Sequence, residues 1–331
     1  MIPFSVLDLS LITSTGSPAE AFANSRDLAR HAETLGFERY WVAEHHAMPG
    51  IASAATALLI QHIASATQTI RVGSGGIMLP NHSPLAIAEQ FGTLETLFPG
   101  RIDLGLGRAP GSDQETVRAL RRDAGSADRF PQDVVDLLAY LGPPQPGQRV
   151  VAVPGADTNV PVWLLGSSLF SAQLAAYLGL PFAFAAHFAP EQMEAALTLY
   201  RREFEPSRYR QTPHAMVCVN VIAADTDARA ARLETSLRQY FVALRTGRPI
   251  AYPPPIDPET HAWSESEKAL FAHALRFTFA GSPATVQAGL CGFISRYQPD
   301  ELMIAAPIFD HGARRDSLSH AMAIRAALAR A

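Results

Sequence analysis

The strongest constraint on this chain is a grammar repeated along its length. A short apolar run ends in a polar or glycine-rich exit, an amphipathic helical stretch follows, and a turn delivers the next apolar run. Strands are predicted at 3–9, 40–43, 70–77, 102–106, 160–165, 181–186, 214–223 and 301–307. Helices are predicted after them at 17–36, 52–67, 85–97, 127–141, 169–178, 190–204, 226–244, 264–278 and 282–297, with a last one from 317 to the end. The first helix shows the logic. Ser17 and Pro18 open it as cap and first-turn proline, Ala21, Ser25, Leu28, Ala29, Ala32 and Leu35 recur at three- and four-residue steps, and Gly36 closes it. Alternation of this kind argues for a parallel sheet, and eight such units argue for closure into a (β/α)8 TIM barrel of the α/β class, a single domain over 1–331. A doubly wound open sheet is the other topology compatible with the pattern. No G-x-G-x-x-G follows the first strand, which weakens a dinucleotide-fold reading.

Composition bounds the function. Of 331 residues 48% are hydrophobic and 18% charged, enough for a large packed core. The net charge of −4 lacks the basic footprint of a nucleic-acid binder. Two cysteines, Cys218 and Cys291, provide no disulfide framework or zinc pattern. No signal peptide and no apolar run of about 18 residues stand out, so a cytoplasmic protein without a membrane span is expected. Many of the 25 prolines gather near 141–161 and 246–263, which read as long insertions at the strand exits. The second is a candidate lid over the barrel mouth or a stiff surface loop.

The stretch 70–111 organises the rest. Its strands are interrupted by Gly73, Gly75, Gly76, Gly105 and Gly107, so a flat ligand can approach bare backbone, and Arg108 leaves the second strand. In a barrel the strand exits form one face, and catalysis sits there. The polar residues expected on that face are Glu44, His45, His46, Asn81, Arg108, Arg129, Ser167, Ser168, Ser171, His187 and Asn220. Ser167, Ser168 and Ser171 lie where a strand hands over to a helix. There, free N–H groups, hydroxyls and the helix dipole favour an anion, with Arg108 and Arg129 as sources of full charge and a phosphate as the natural guest. A capped helix with solvated arginines is the bland alternative. Adjacent His45 and His46 point to opposite sides of a strand, which disfavours shared metal ligation and leaves one of them to face the pocket. Histidine is the side chain suited to trading protons near neutral pH. His187 offers the same chemistry, and Glu44 reads equally as an ion-pair partner at the rim.

The motifs RYWVAEHH, RVGSGGIMLPNHSP, PGRIDLGLGRAPGSD and VWLLGSSLFSAQLAAYLGLPFAFA, in this order, resemble the bacterial luciferase-like family of flavin-dependent monooxygenases over nearly the whole chain. The resemblance implies a barrel that binds FMN at the strand exits, with reduced flavin reacting with O2. It implies His45 as the catalytic histidine, a non-proline cis peptide at Gly75–Gly76 supporting the flavin ring, and phosphate contacts from Arg108, Arg129, Ser168 and Ser171. It also implies dimeric relatives, with the helix 52–67 as a possible interface. Departures fall at Gly107, where the luciferase has a cysteine, at Ser167, where it has an acidic residue, and at Ala186, where it has a tryptophan. These put light emission and long-chain aldehydes in doubt and leave room for a bulkier substrate. The expected activity is an FMN-dependent monooxygenation of a small organic molecule, fed by a separate flavin reductase. Deazaflavin-dependent hydride transfer and non-catalytic flavin binding are the alternatives.

Overall fold

The computed structural model describes residues 2–108, 114–122 and 125–329. The apolar runs become strands β1 (Phe4–Asp8), β2 (Arg39–Val42), β3 (Arg71–Met78), β4 (Ile102–Gly107), β5 (Val162–Gly166), β6 (Phe182–Phe184), β7 (Ala215–Ala223), β8 (Thr278–Gly281) and β9 (Glu301–Ala305). All pairings between them are parallel. β1 to β7 follow one another around the ring, β9 sits between β7 and β1, and the β6–β7 pairing closes an eight-stranded barrel. Register is explicit at the closure, with Val6 opposite Tyr40 on one side and Ile304 on the other. The helices are α1 (Pro18–Leu35), α2 (Thr56–Ala64), α3 (Pro84–Leu97), α4 (Gln114–Ala119), α5 (Phe130–Leu141), α6 (Leu169–Leu178), α7 (Met193–Glu203), α8 (Asp227–Arg245), α9 (Glu265–Ala274), α10 (Pro283–Tyr297) and α11 (His311–Leu328).

The period of two along each strand divides the core in two. Outward residues such as Val6, Tyr40, Val72, Leu104, Leu164, Phe182 and Val217 pack against the helices. Inward residues Leu7, Trp41, Trp163, Met216, Cys218 and Met303 fill the barrel, where the Trp41 and Trp163 rings meet edge to face at 5.2 Å. Each such side chain, fully buried, contributes about 1.5–3 kcal/mol. The glycines of β3 and β4 serve this filling. A Cβ on Gly75 would lie 2.8 Å from Leu7 and 3.2 Å from Trp41, and one on Gly105 would lie 2.8 Å from Leu165. The barrel's own side chains therefore fill the side of the backbone that a Cβ would take. Ser74 bridges the two strands at the irregularity, donating to the Gly105 carbonyl and accepting from its N–H, both at 2.9 Å.

Three expectations are corrected. The helix predicted at 264–278 ends at Ala274, and Thr278–Gly281 is a strand instead. It pairs with the far half of β7 (Asn220–Ala223), which overruns β9. The last helix starts at His311, not 317, because Asp310 caps it by accepting from Ala313 N–H at 2.7 Å. The proline-rich loop 142–161 joins the end of α5 to the start of β5, so it lies at the strand entries; only 246–263 lies at the exits. That second loop is pinned: Tyr252 bridges to Thr13 after β1, and its hydroxyl donates to the Pro307 carbonyl after β9. The end of β1 is also tied to α11 by a buried ion pair that no motif announces. Arg314 Nη2 reaches Asp8 at 2.6 Å, while Tyr40 and Ser25 donate to the same carboxylate. Burial alone would raise the Asp8 pKa, but the Arg314 charge and these donors hold it below the usual value.

Candidate active site

At the exit of β2 the chain places Glu44, His45 and His46, and the structure separates their roles. Glu44 is buried and gathers four donors: Met78 N–H at 3.0 Å, Asn81 Nδ2 at 3.2 Å, and Nε2 of His46 and of His82, each at 2.9 Å. Burial pushes its pKa up, but these hydrogen bonds, His82 first, bring it below the ordinary carboxylate value. Glu44 is thus a hub that ties the β3 exit to the β2 exit. His82 is a member that sequence reasoning missed, since nothing in its spacing from Glu44 marks a partner brought in by the next strand.

His45 does the opposite. The alternation that turns Trp41 and Ala43 into the barrel carries His45 over its mouth. Its backbone N–H is held by the Ser53 carbonyl at 3.2 Å, while its Nδ1 is buried with no partner among the described residues. Burial lowers its pKa to about 4, Glu44 opposing and neighbouring His46 assisting. His187, at the exit of β6, is its counterpart. Its Nδ1 is also buried and unpartnered, and burial, with His45 nearby, lowers its pKa to about 3. Both imidazoles are neutral at physiological pH, so each keeps one ring nitrogen without a hydrogen as an acceptor. Asn220 does not face the mouth as a free polar group: its Nδ2 donates to the His187 carbonyl at 2.7 Å and to Thr278 at 3.1 Å, holding the β6 exit in place.

The anion site expected after β5 has its parts assembled. Ser168 occupies the N-cap position of α6 in extended conformation, yet its side chain makes no capping hydrogen bond, and Ser171 is buried one turn on. Ser167 sits half-buried beside them. Arg108 lies over the Phe170 ring with 4.1 Å from guanidinium carbon to ring centre, which fixes a full positive charge at the first turn of α6. Of the first-turn amides, Leu169 N–H is already taken by Gln192 at 3.2 Å. Arg129 heads a different helix, exposed at the N-cap of α5. The part of the PGRIDLGLGRAPGSD motif that follows Arg108 lies outside the described residues.

The peptide bond between Gly75 and Gly76 is cis. It lies in the second half of β3, the half that leads to the mouth. Gly107 ends β4, where a Cβ would meet the Met78 sulfur at 3.0 Å. Ala186 is fully buried in the layer between sheet and helices, so its small side chain opens no space at the mouth. The orphaned His45 and His187 nitrogens, the uncommitted Ser168 hydroxyl and the Arg108 charge make a donor and acceptor set suited to a phosphate-bearing heterocycle. No helix among the described residues is long and apolar enough to cross a membrane.

A family model described as luciferase-like monooxygenase matches residues 2–295. A protein of Escherichia coli strain K12 named luciferase-like monooxygenase is 54% identical over 325 residues, covering 98% of this chain and 97% of its own. Among solved structures, apo-MsnO8 superposes with a TM-score of 0.86 at 33% identity over 98% of this chain and 99% of its own. Two more distant structures share the fold. One is the oxygenating constituent of 3,6-diketocamphane monooxygenase from Pseudomonas putida in complex with FMN (TM-score 0.73, 18% identity, 97% and 96% covered). The other is an F420-dependent secondary alcohol dehydrogenase (TM-score 0.70, 15% identity, 96% and 97% covered).

Proposed function

This chain belongs to the luciferase-like monooxygenase family, and from that premise we propose that it is an FMN-dependent monooxygenase acting on a small organic molecule. The observation that carries the reading is the pairing, at one barrel mouth, of a neutral His45 with an open Nδ1 and an Arg108-flanked helix start with an unused Ser168 hydroxyl. When bound, FMN supplies the redox chemistry with O2. Arg108, Ser167, Ser168 and Ser171, with Arg129 on the neighbouring helix, would hold its phosphate, and the Gly75–Gly76 backbone would support its ring. His45 accepts or returns a proton at Nδ1. His187 keeps a second neutral acceptor beside it. The pinned loop 246–263 covers the β1 and β9 exits and limits substrate entry.

Reduced flavin comes from a separate reductase, and the chain pairs with a second copy through α2, whose Leu58 is 74% exposed. The discriminating experiment mixes the purified protein with reduced FMN or reduced deazaflavin and records spectra and oxygen uptake with a panel of small organic substrates. Substrate-dependent oxygen consumption with FMN and an added reductase supports the proposal. Turnover with the deazaflavin and no oxygen uptake assigns hydride transfer instead, and FMN retention without turnover on any substrate leaves a flavin carrier. Sedimentation at equilibrium tests the dimer, with Leu58→Glu expected to shift it towards monomer.

A further inference from the structure

The opposite end of the barrel holds a cavity of about 630 Å3, within the usual range for small-molecule sites. Its lining includes Arg39, Arg71, Asp103, Trp163, Arg208 and Arg210. It lies at the strand entries, since Arg39, Arg71 and Val162 are the first residues of β2, β3 and β5, and so it is separate from the mouth where His45 and Arg108 stand.

The charges of the cavity can be counted from its hydrogen bonds. On the floor, Arg39 binds Glu301 and Asp103, each at 2.7 Å, and Arg71 binds Asp103 at 2.6 Å. Two guanidinium groups there face two carboxylates, and the floor is neutral. Arg210 Nη2 also lies 3.1 Å from Nδ1 of His214, whose Nε2 faces Glu301 at 3.4 Å. Above this floor stand Arg208 and Arg210, neither of which contacts a carboxylate among the described residues. Each is held in place by neutral groups. Arg208 donates to the Tyr209 hydroxyl at 2.7 Å and lies over that ring, and its Nη2 fills the space beside Gly142 at the edge of the 142–161 loop. Arg210 donates to the Thr212 carbonyl at 3.3 Å. A guanidinium has five N–H donors, so both retain donors for a ligand. The outcome is two uncompensated positive charges on the wall of a cavity in a chain whose net charge is −4.

We infer that this cavity binds a small molecule through an oxyanion group, phosphate or carboxylate, held by Arg208 and Arg210, with Trp163, Pro161 and Pro181 against its less polar part. Planar guanidinium forks match the geometry of both groups. Inorganic phosphate and citrate serve as probes, each titrated separately by calorimetry into the protein with FMN held in excess, which occupies the phosphate site proposed at the mouth. Saturable binding of one or both is expected, and the tighter probe tells phosphate from carboxylate. Arg208→Ala/Arg210→Ala should weaken it by about tenfold or more, as expected for charged hydrogen bonds, while Arg208→Lys/Arg210→Lys keeps a larger share. Arg108→Ala should leave this binding within about twofold, because that arginine serves the other face. No saturable binding of either probe would overturn the inference, as would equal affinity in the double alanine variant or loss of binding with Arg108→Ala. None of these readouts uses flavin turnover, so the result stands apart from the proposed activity.

Discussion

The two ends of the barrel handle buried polarity in opposite ways. At the strand entries the two carboxylates under the barrel are met: Asp103 and Glu301 share Arg39, Arg71, Ser5 and His214, and Trp41 donates its indole N–H to Asp103 at 3.1 Å. At the strand exits Glu44 is saturated, but His45, His187 and the buried Ser53 hydroxyl are left without partners among the described residues. An unsatisfied buried polar group costs about 1–3 kcal/mol, so a fold tolerates a cluster of them where something else is to bind or react.

The sharpest way to break this contrast is at the saturated end. Arg39→Met leaves two carboxylates buried and short of their main counter-charge, and is expected to cost about 3–5 kcal/mol in urea unfolding. A loss below about 1 kcal/mol would show that the network is not holding the barrel closed. At the other end His45→Ala should leave the unfolding midpoint nearly unchanged, since no side-chain hydrogen bond is lost, yet lower coupled turnover by about 100-fold or more. Unchanged turnover with normal flavin binding would remove His45 from the reaction. Arg108→Ala is expected to weaken FMN binding by about 10- to 100-fold, measured by fluorescence quenching, and Ser168→Ala by about fivefold. Equal effects of the two would argue against a phosphate held chiefly by charge.

A further effect is in pH. A histidine whose pKa falls from 6.5 to about 4 on folding takes up its proton in the unfolded chain first, so stability is full above pH 6.5 and declines as the pH drops towards 4. His45→Gln should therefore unfold with a shallower loss of stability across that window than the native chain. Parallel curves would mean that His45 is not desolvated in solution.

Much of the candidate site was legible before the fold was known, because its residues sit at strand exits that periodicity alone can place. That only one of His45 and His46 faces inward follows from the strand's period of two, the choice of His45 comes from the family resemblance, and the serine-led start of α6 follows from helix-capping chemistry. The glycines suggest a bare floor for a ligand, and on the side that a Cβ would take Leu7, Trp41 and Leu165 reach in from other strands. Asn220 is expected at the mouth, and there its side chain anchors the His187 backbone. Each of these partners is distant in sequence.

By itself the sequence determined the local alternation of strand and helix, and hence eight parallel units with one catalytic face, because hydrophobic period, caps and turns act within a few residues. The tertiary structure alone decided which polar groups are satisfied. Glu44 meets His82 once β3 lies beside β2, whereas Asp8 meets Arg314 and Glu301 meets Arg39 only after the barrel closes. The physical reason is that the cost of burying charge depends on everything within a few ångströms, and for those last two pairs closure brings together residues that the chain holds hundreds of positions apart.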